Sequence, residues 1–185
     1  MSSDVFIISS ARDPNPAAAI RNAVELAGVS PARIQDAVFG LDDPATTRPD
    51  PDATLLAAGL TCPWARVFTS LRAIFFSAAS ILSDDAELLV VLGLDGETCT
   101  AFVLASPEAV GRMNLLPCAR LAARSLTGSE PAFRLAGLTA ADVQVSRQGD
   151  RAAPLLHDLL SELESSSSRW GMVAVGNAVL LIERV

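Results

Sequence analysis

AVELAGVSPARIQ, residues 23–35, returns as AFRLAGLTAADVQ, residues 132–144, and this repeat decides how the chain is read. The copies align without a gap. Ala23/Ala132, Leu26/Leu135, Ala27/Ala136, Gly28/Gly137, Ala32/Ala141 and Gln35/Gln144 are identical, and Val29/Leu138, Ser30/Thr139 and Ile34/Val143 are close substitutes. Each copy describes one device: a helix closed by a left-handed glycine (Gly28, Gly137), then an apolar residue that packs back on that helix. Ser30 or Thr139 caps a short new turn, with Pro31 first in one copy and Asp142 third in the other. A strand candidate follows each cap, DAVFG at residues 36–40 and VQVS at residues 143–146. The chain therefore reads as two related α/β halves, residues 1–110 and 111–185, in one compact domain.

Composition narrows the function. The 185 residues carry a net charge of −7 and are 50% apolar with few aromatics, so alanine, leucine and valine must fill the core. Every basic residue is an arginine. That removes Schiff-base lysines and the phosphate-cradling P-loop lysine, and scattered arginines on an acidic chain argue against nucleic acid. Cys62, Cys99 and Cys118 are odd in number, widely spaced and set in apolar surroundings. Buried, reduced thiols are expected rather than a disulfide framework or a metal site, and no cofactor is implied. No leader pattern and no apolar run of membrane-spanning length is visible, so a cytoplasmic protein without membrane contact is expected.

Taken in order, residues 4–9 read as a buried strand, residues 10–16 as its break, and residues 16–27 as a helix ending at Gly28, which with the strand at 36–41 makes a right-handed crossover unit. Residues 42–53 are loop by composition, too acidic to hold a phosphate. Residues 55–60 are a short helix closed by Gly59, and residues 64–68 a strand. Thr69 or Ser70 caps LRAIFFSAASIL (71–82), a helix apolar nearly all round and hence buried on most sides. Residues 87–94 and 98–105 form a hairpin around Asp95-Gly96. In the second half, residues 115–121 read as a strand despite Pro117, residues 131–135 as a short helix and residues 152–164 as a leucine-rich helix. Ser165 to Ser168 is a flexible connection. Gly176-Asn177 is the turn of the closing hairpin.

VFIISSAR (5–12), the two Ala-Gly helix exits, Ala58-Gly-Leu60, LRAI (71–74) before an alanine-rich helix and an LVVLG strand resemble the thiolase superfamily. LLHDL (155–159), RWGMVAVG (169–176) and AVLLIERV (178–185) resemble that family's late central helix and closing hairpin. The similarity spans nearly the whole chain in order. It implies a thiolase-like α/β fold, five layers α-β-α-β-α in two duplicated halves. It also implies dimerisation through the strand before the central helix, here Trp64, Arg66, Val67 and Phe68 with Thr69 following.

The catalytic part of the resemblance fails. The family's nucleophilic cysteine opens the central helix, where the helix dipole favours a thiolate; counting back from Leu71 puts Val67 there. Ser146-Arg-Gln-Gly-Asp150 stands where Asn-Glu-Ala-Phe is expected, the Gly-His-Pro loop is missing, and the second reactive cysteine matches Ala174. The insertion that covers acyl-CoA is reduced to residues 107–114. No catalytic residue is therefore assigned. His157 is taken as structural, since a general base needs a partner in hydrogen-bond reach, and Thr69 and Ser70 as caps. The expectation is a non-catalytic subunit pairing with a full-length thiolase or ketosynthase-like enzyme of acyl-CoA metabolism, or with itself. The alternatives are a module binding acyl-CoA or another small molecule through Arg66, Arg72 or Arg147, and an acyltransferase with relocated catalytic residues.

Overall fold

Strands buried on both faces need helices on both faces, and the two fully buried strands at the centre of the first half dictate the architecture. The computed structural model describes residues 4–41, 49–62, 65–83, 85–96 and 98–185. Its first half runs β1 (Val5–Asp13), α1 (Pro16–Leu26), β2 (Asp36–Leu41), α2 (Pro51–Ala58), β3 (Ala65–Phe68), α3 (Ser70–Leu82), β4 (Leu88–Leu94) and β5 (Cys99–Ala105). Helix α4 (Pro107–Met113) leads to β6 (Ala119–Ser125), α5 (Ser129–Ala136), β7 (Val145–Gly149), α6 (Ala152–Ser165), β8 (Trp170–Val175) and β9 (Ala178–Arg184). These strands form one mixed sheet in the order β3-β2-β4-β5-β1-β6-β9-β8-β7. Strands β4 and β5 are buried along their whole length. One apolar cluster joins the sheet to α1 and α2, a second joins it to both α3 and α6, and a smaller third lies under α5.

The halves use one pairing scheme. β2 and β4 are parallel, and β5 runs antiparallel between β4 and β1; β7 and β8 are parallel, and β9 runs antiparallel between β8 and β6. Both first strands carry an extra residue at the same place, Ile8 between Ile7 and Ser9, and Ala122 between Leu121 and Ala123. Superposing the bulges puts Phe6 on Arg120, and Phe6 is also the rung partner of Arg120 where β1 meets β6. The flanking rungs Val5–Leu121 and Ile7–Ala119 exchange under the same operation, so an internal two-fold axis passes between Phe6 and Arg120. Both repeats exit as expected: Gly28 and Gly137 have φ of 66° and 69°, and Val29 and Leu138 donate back to the Val24 and Phe133 carbonyls. Thr139 donates its N–H and hydroxyl to Asp142, each at 2.7 Å, whereas Ser30, expected to cap the turn in the first copy, makes no side-chain capping bond.

Several expectations are corrected. β1 continues to Asp13 through the polar stretch read as its break, because β5 supplies rungs along that length. Residues 51–53 are helical, since the Asp50 carboxylate accepts from the Asp52 and Ala53 N–H groups and Pro51 suits a first helical position; residues 42–48 of the expected loop lie outside the described residues. Residues 107–113 form a helix rather than a bare connection. β6 begins at Ala119, beyond Pro117, and β7 at Val145. β1 and β2 run parallel with β4 and β5 between them, as a crossover unit allows. The strands of the two halves meet edge to edge at β1 and β6 and form one sheet.

Candidate functional site

The expected interface strand lies at one end of the sheet. β3 pairs with β2 in parallel from Ala37–Ala65 to Gly40–Phe68, and no described strand lies on its other side. Alternation sends Val67 into the cluster under α1 and α2, and Phe68 into the cluster with α3. The Phe68 ring stacks on Phe76 with centroids 5.0 Å apart, and the Arg66 guanidinium lies 4.7 Å over the same Phe76 ring and 3.8 Å from the Asp36 carboxylate. Asp36 is buried, which raises its pKa against the opposing pull of the Ala37 N–H and the Arg66 charge. Arg66 and Thr69 are exposed, Val67 and Phe68 half-buried, while Trp64 lies outside the described residues. Among the described residues β3 is thus the end strand of the sheet, with an aromatic–cation stack behind it.

Val67 does not stand at the mouth of the helix. It sits inside β3, whereas α3 begins at Ser70 with Thr69 as the preceding cap residue, and Thr69 makes no side-chain capping bond. Phe68 and Thr69 separate Val67 from the first residue of α3, and Thr69 alone joins β3 to α3. None of the residues around that junction is a cysteine.

His157 has a partner that the sequence did not reveal. Ser10 Oγ lies 2.9 Å from His157 Nδ1, and beside them Arg12 lies 3.3 Å from the Asp158 carboxylate and donates to the Pro154 carbonyl at 3.2 Å. The Ile8 bulge makes this possible. Ile7 faces α3 and α6, the extra residue shifts the alternation, and Ser10 and Arg12 then face α6 while Ser9 donates to the Ala23 carbonyl of α1. Burial lowers the His157 pKa, the Arg12 charge lowers it further, and Asp158 works the other way. Among the described residues no carboxylate hydrogen-bonds the ring, so the third group that orients a base in a triad is lacking.

The remaining candidates are dispersed. Cys99 is buried, with its thiol pushed up to about 11 chiefly by burial, and Cys62 is half-buried with its pKa raised by burial and by Asp36. Cys118 is exposed rather than buried, although its Sγ donates to the Ile7 carbonyl at 3.2 Å. All three are free, and none opens a helix. Arg147 is tied to Glu162, Arg72 is exposed on α3, and Arg66 faces Asp36. Arg66 and Arg147 lie on the opposite end strands of the sheet, so these three arginines do not form one anion site. Ala174 lies within β8, and residues 146–149 belong to β7. Among the described residues no group of three His, Cys, Asp or Glu could hold a metal ion, and no helix is long and apolar enough to cross a membrane. No protein-family model matches the sequence, and no curated protein matches it.

Proposed function

We propose that the chain is a thiolase-like, five-layered, non-catalytic subunit that pairs through β3 with a full-length thiolase or ketosynthase-like enzyme of acyl-CoA metabolism, or with a second copy of itself. The observation that carries this reading is the place of β3 at the end of the sheet among the described residues. The strand directly before the central helix of the first half, where the resemblance puts the dimer contact, is that end strand, and three of its four residues are apolar. Support for the fold comes from the repeated pairing scheme, the internal two-fold axis, and the burial of α3 and α6 in one shared cluster with outer helices over the other faces. Support for a non-catalytic role comes from raised rather than lowered thiols at Cys62 and Cys99, and from the absence of a cysteine at the start of α3.

Affinity capture of the full chain from its host, with stoichiometry read by native mass spectrometry, is expected to return a thiolase-like partner or a second copy. Substituting Arg66→Glu together with Thr69→Glu, both exposed on that edge, is expected to dissociate the pair. A chain that remains monomeric and alone overturns the reading. The Ser10–His157 bond favours one alternative, an acyltransferase with relocated residues. Cleavage of acetoacetyl-coenzyme A in the presence of free coenzyme A, lost in both Ser10→Ala and His157→Ala, would replace the subunit reading with an enzyme.

A further inference from the structure

Among the described residues four arginines are half-buried, namely Arg120, Arg124, Arg147 and Arg184. Three of them bond to a carboxylate or a carbonyl: Arg120 to Asp4 and Glu183, Arg147 to Glu162, Arg184 to the Leu163 and Ser166 carbonyls. Arg124 has no hydrogen bond or ion pair among the described residues. Its one close feature is the ring of Phe75 on α3, with the guanidinium carbon 6.0 Å from the ring centroid. A guanidinium carries five donors, and leaving them unpaired while partly out of water is costly unless something else accepts them. Burial alone depresses its pKa, with no neighbouring carboxylate to oppose the effect.

The surroundings show what would accept. β6 pairs with β1 only as far as the Val5–Leu121 rung, but continues along β9 to Ser125. Where β6 runs on past the start of β1, a cavity of about 370 Å³ opens, lined by Val5, Leu82, Leu121, Ala122, Leu135 and Arg124. Arg124 is the only charged residue in that lining among the described residues. The Ala122 bulge turns it toward α3, as the equivalent bulge turns Ser10 toward α6. One forked cation among otherwise apolar side chains matches a molecule with one planar anionic head and an aliphatic tail. A phosphate, with more charge and more oxygens, would call for a second cation, and no other charged residue lines the cavity among the described residues.

We infer that this cavity is a binding site for an aliphatic monocarboxylate, with the carboxylate on the Arg124 guanidinium and the chain against Val5, Leu82, Leu121 and Leu135. The site lies on β6 beside the C-terminal end of α3, away from β3, and does not depend on the subunit reading.

Calorimetric titration of the full chain with octanoate, 1-octanol and inorganic phosphate tests it. Octanoate is expected to bind one to one and saturably, 1-octanol about tenfold or more weaker, and phosphate neither to bind nor to compete. Arg124→Met should weaken octanoate by about tenfold or more and leave 1-octanol unchanged, whereas Arg124→Lys should retain part of the affinity. Ala122→Leu keeps the cation, fills the cavity and should remove binding of both. No saturable octanoate binding to the unaltered chain, equal affinities for octanoate and 1-octanol, competition by phosphate, or an Ala122→Leu chain that binds octanoate unchanged would each overturn the inference.

Discussion

The rungs Phe6–Ala105 and Arg120–Glu183 occupy the same place in the two halves, two residues before the bulge, and they are built from opposite chemistry. In the first half the rung is apolar and belongs to the cluster that α4 helps close with Ala109, Val110 and Met113. In the second half the buried Glu183 accepts from Arg120 Nε at 2.6 Å and from Arg169 Nε at 2.8 Å, and Arg120 reaches on to Asp4 at 2.7 Å. One backbone geometry thus accepts either solution, and the side chains are chosen by what covers them. Breaking the charged version should be the costliest change. Glu183→Ala leaves Arg120 part-buried without its main partner and is expected to lower stability by about 3 kcal/mol. The double change Arg120→Phe with Glu183→Ala copies the first half and should recover most of that loss. Urea unfolding of the single and double variants measures both, and a double variant no better than the single one would show that the halves are not interchangeable there.

The comparison extends into the core. Gly171 stands opposite Val145 and Ile182 as Leu89 stands opposite Asp36 and Leu104, so the two are equivalent. The helices trade size in the opposite sense. A Cβ on Gly171 would lie 2.9 Å from the Leu159 side chain and 3.0 Å from that of Leu163. The position on α3 corresponding to Leu159, seven residues after the first, holds Ser77, which is fully buried and whose hydroxyl has no partner among the described residues. Large strand residue with small helix residue in one half becomes small with large in the other. Gly171→Ala is therefore expected to cost about 2 kcal/mol by overpacking, with part of it returned by Leu159→Ala in the same chain. Ser77→Ala removes an unsatisfied buried hydroxyl and should raise stability by about 1 kcal/mol. The same unfolding series checks all three, and a Gly171→Ala chain as stable as the original would refute the size exchange.

How much of this was legible in the sequence depended on the range of the interaction. Gly28 and Gly137 announce their left-handed exits locally, the leucines of α6 fall at helical spacing, and Gly176, with φ of 56°, makes the hairpin turn that its neighbours predict. The bulges at Ile8 and Ala122 carry no such mark, since no glycine or proline stands there, and a strict two-residue alternation assigns Ser10 and Arg124 to the wrong face. The extension of β1 to Asp13 through polar residues depends on pairing with β5, far along the chain, and so does the joining of the halves at β1 and β6. Val67 falls in the strand read at residues 64–68, but the single-residue link from β3 to α3 is not something composition reveals. The place of β3 at the end of the described sheet could be anticipated only from the resemblance, and the lack of a partner for Arg124 among the described residues only from the coordinates.

The smallest expected effect concerns the two residues that face the bulges. His157 on α6 and Phe75 on α3 each stand five residues after the first position of their helix, and each receives the side chain after the opposite bulge: Ser10 on His157, Arg124 near Phe75. Because burial, aided by the Arg12 charge against Asp158, holds the folded His157 below its ordinary value of 6.5, protons bind the unfolded chain better. The contribution of neutral His157 is therefore complete above about pH 6.5 and is lost as the pH falls through the lower folded value. Asp36, whose pKa burial raises, has the opposite sign and gains stability as acid protonates it. His157→Phe copies the first half at this position, and since the chain has no other histidine it should remove the imidazole share of the slope entirely. Urea midpoints taken between about pH 8 and 5 are expected to fall with acid in the original chain more steeply than in the variant. Parallel curves would mean that His157 is as open to protons when folded as when unfolded, and that its bond to Ser10 does not hold the ring neutral.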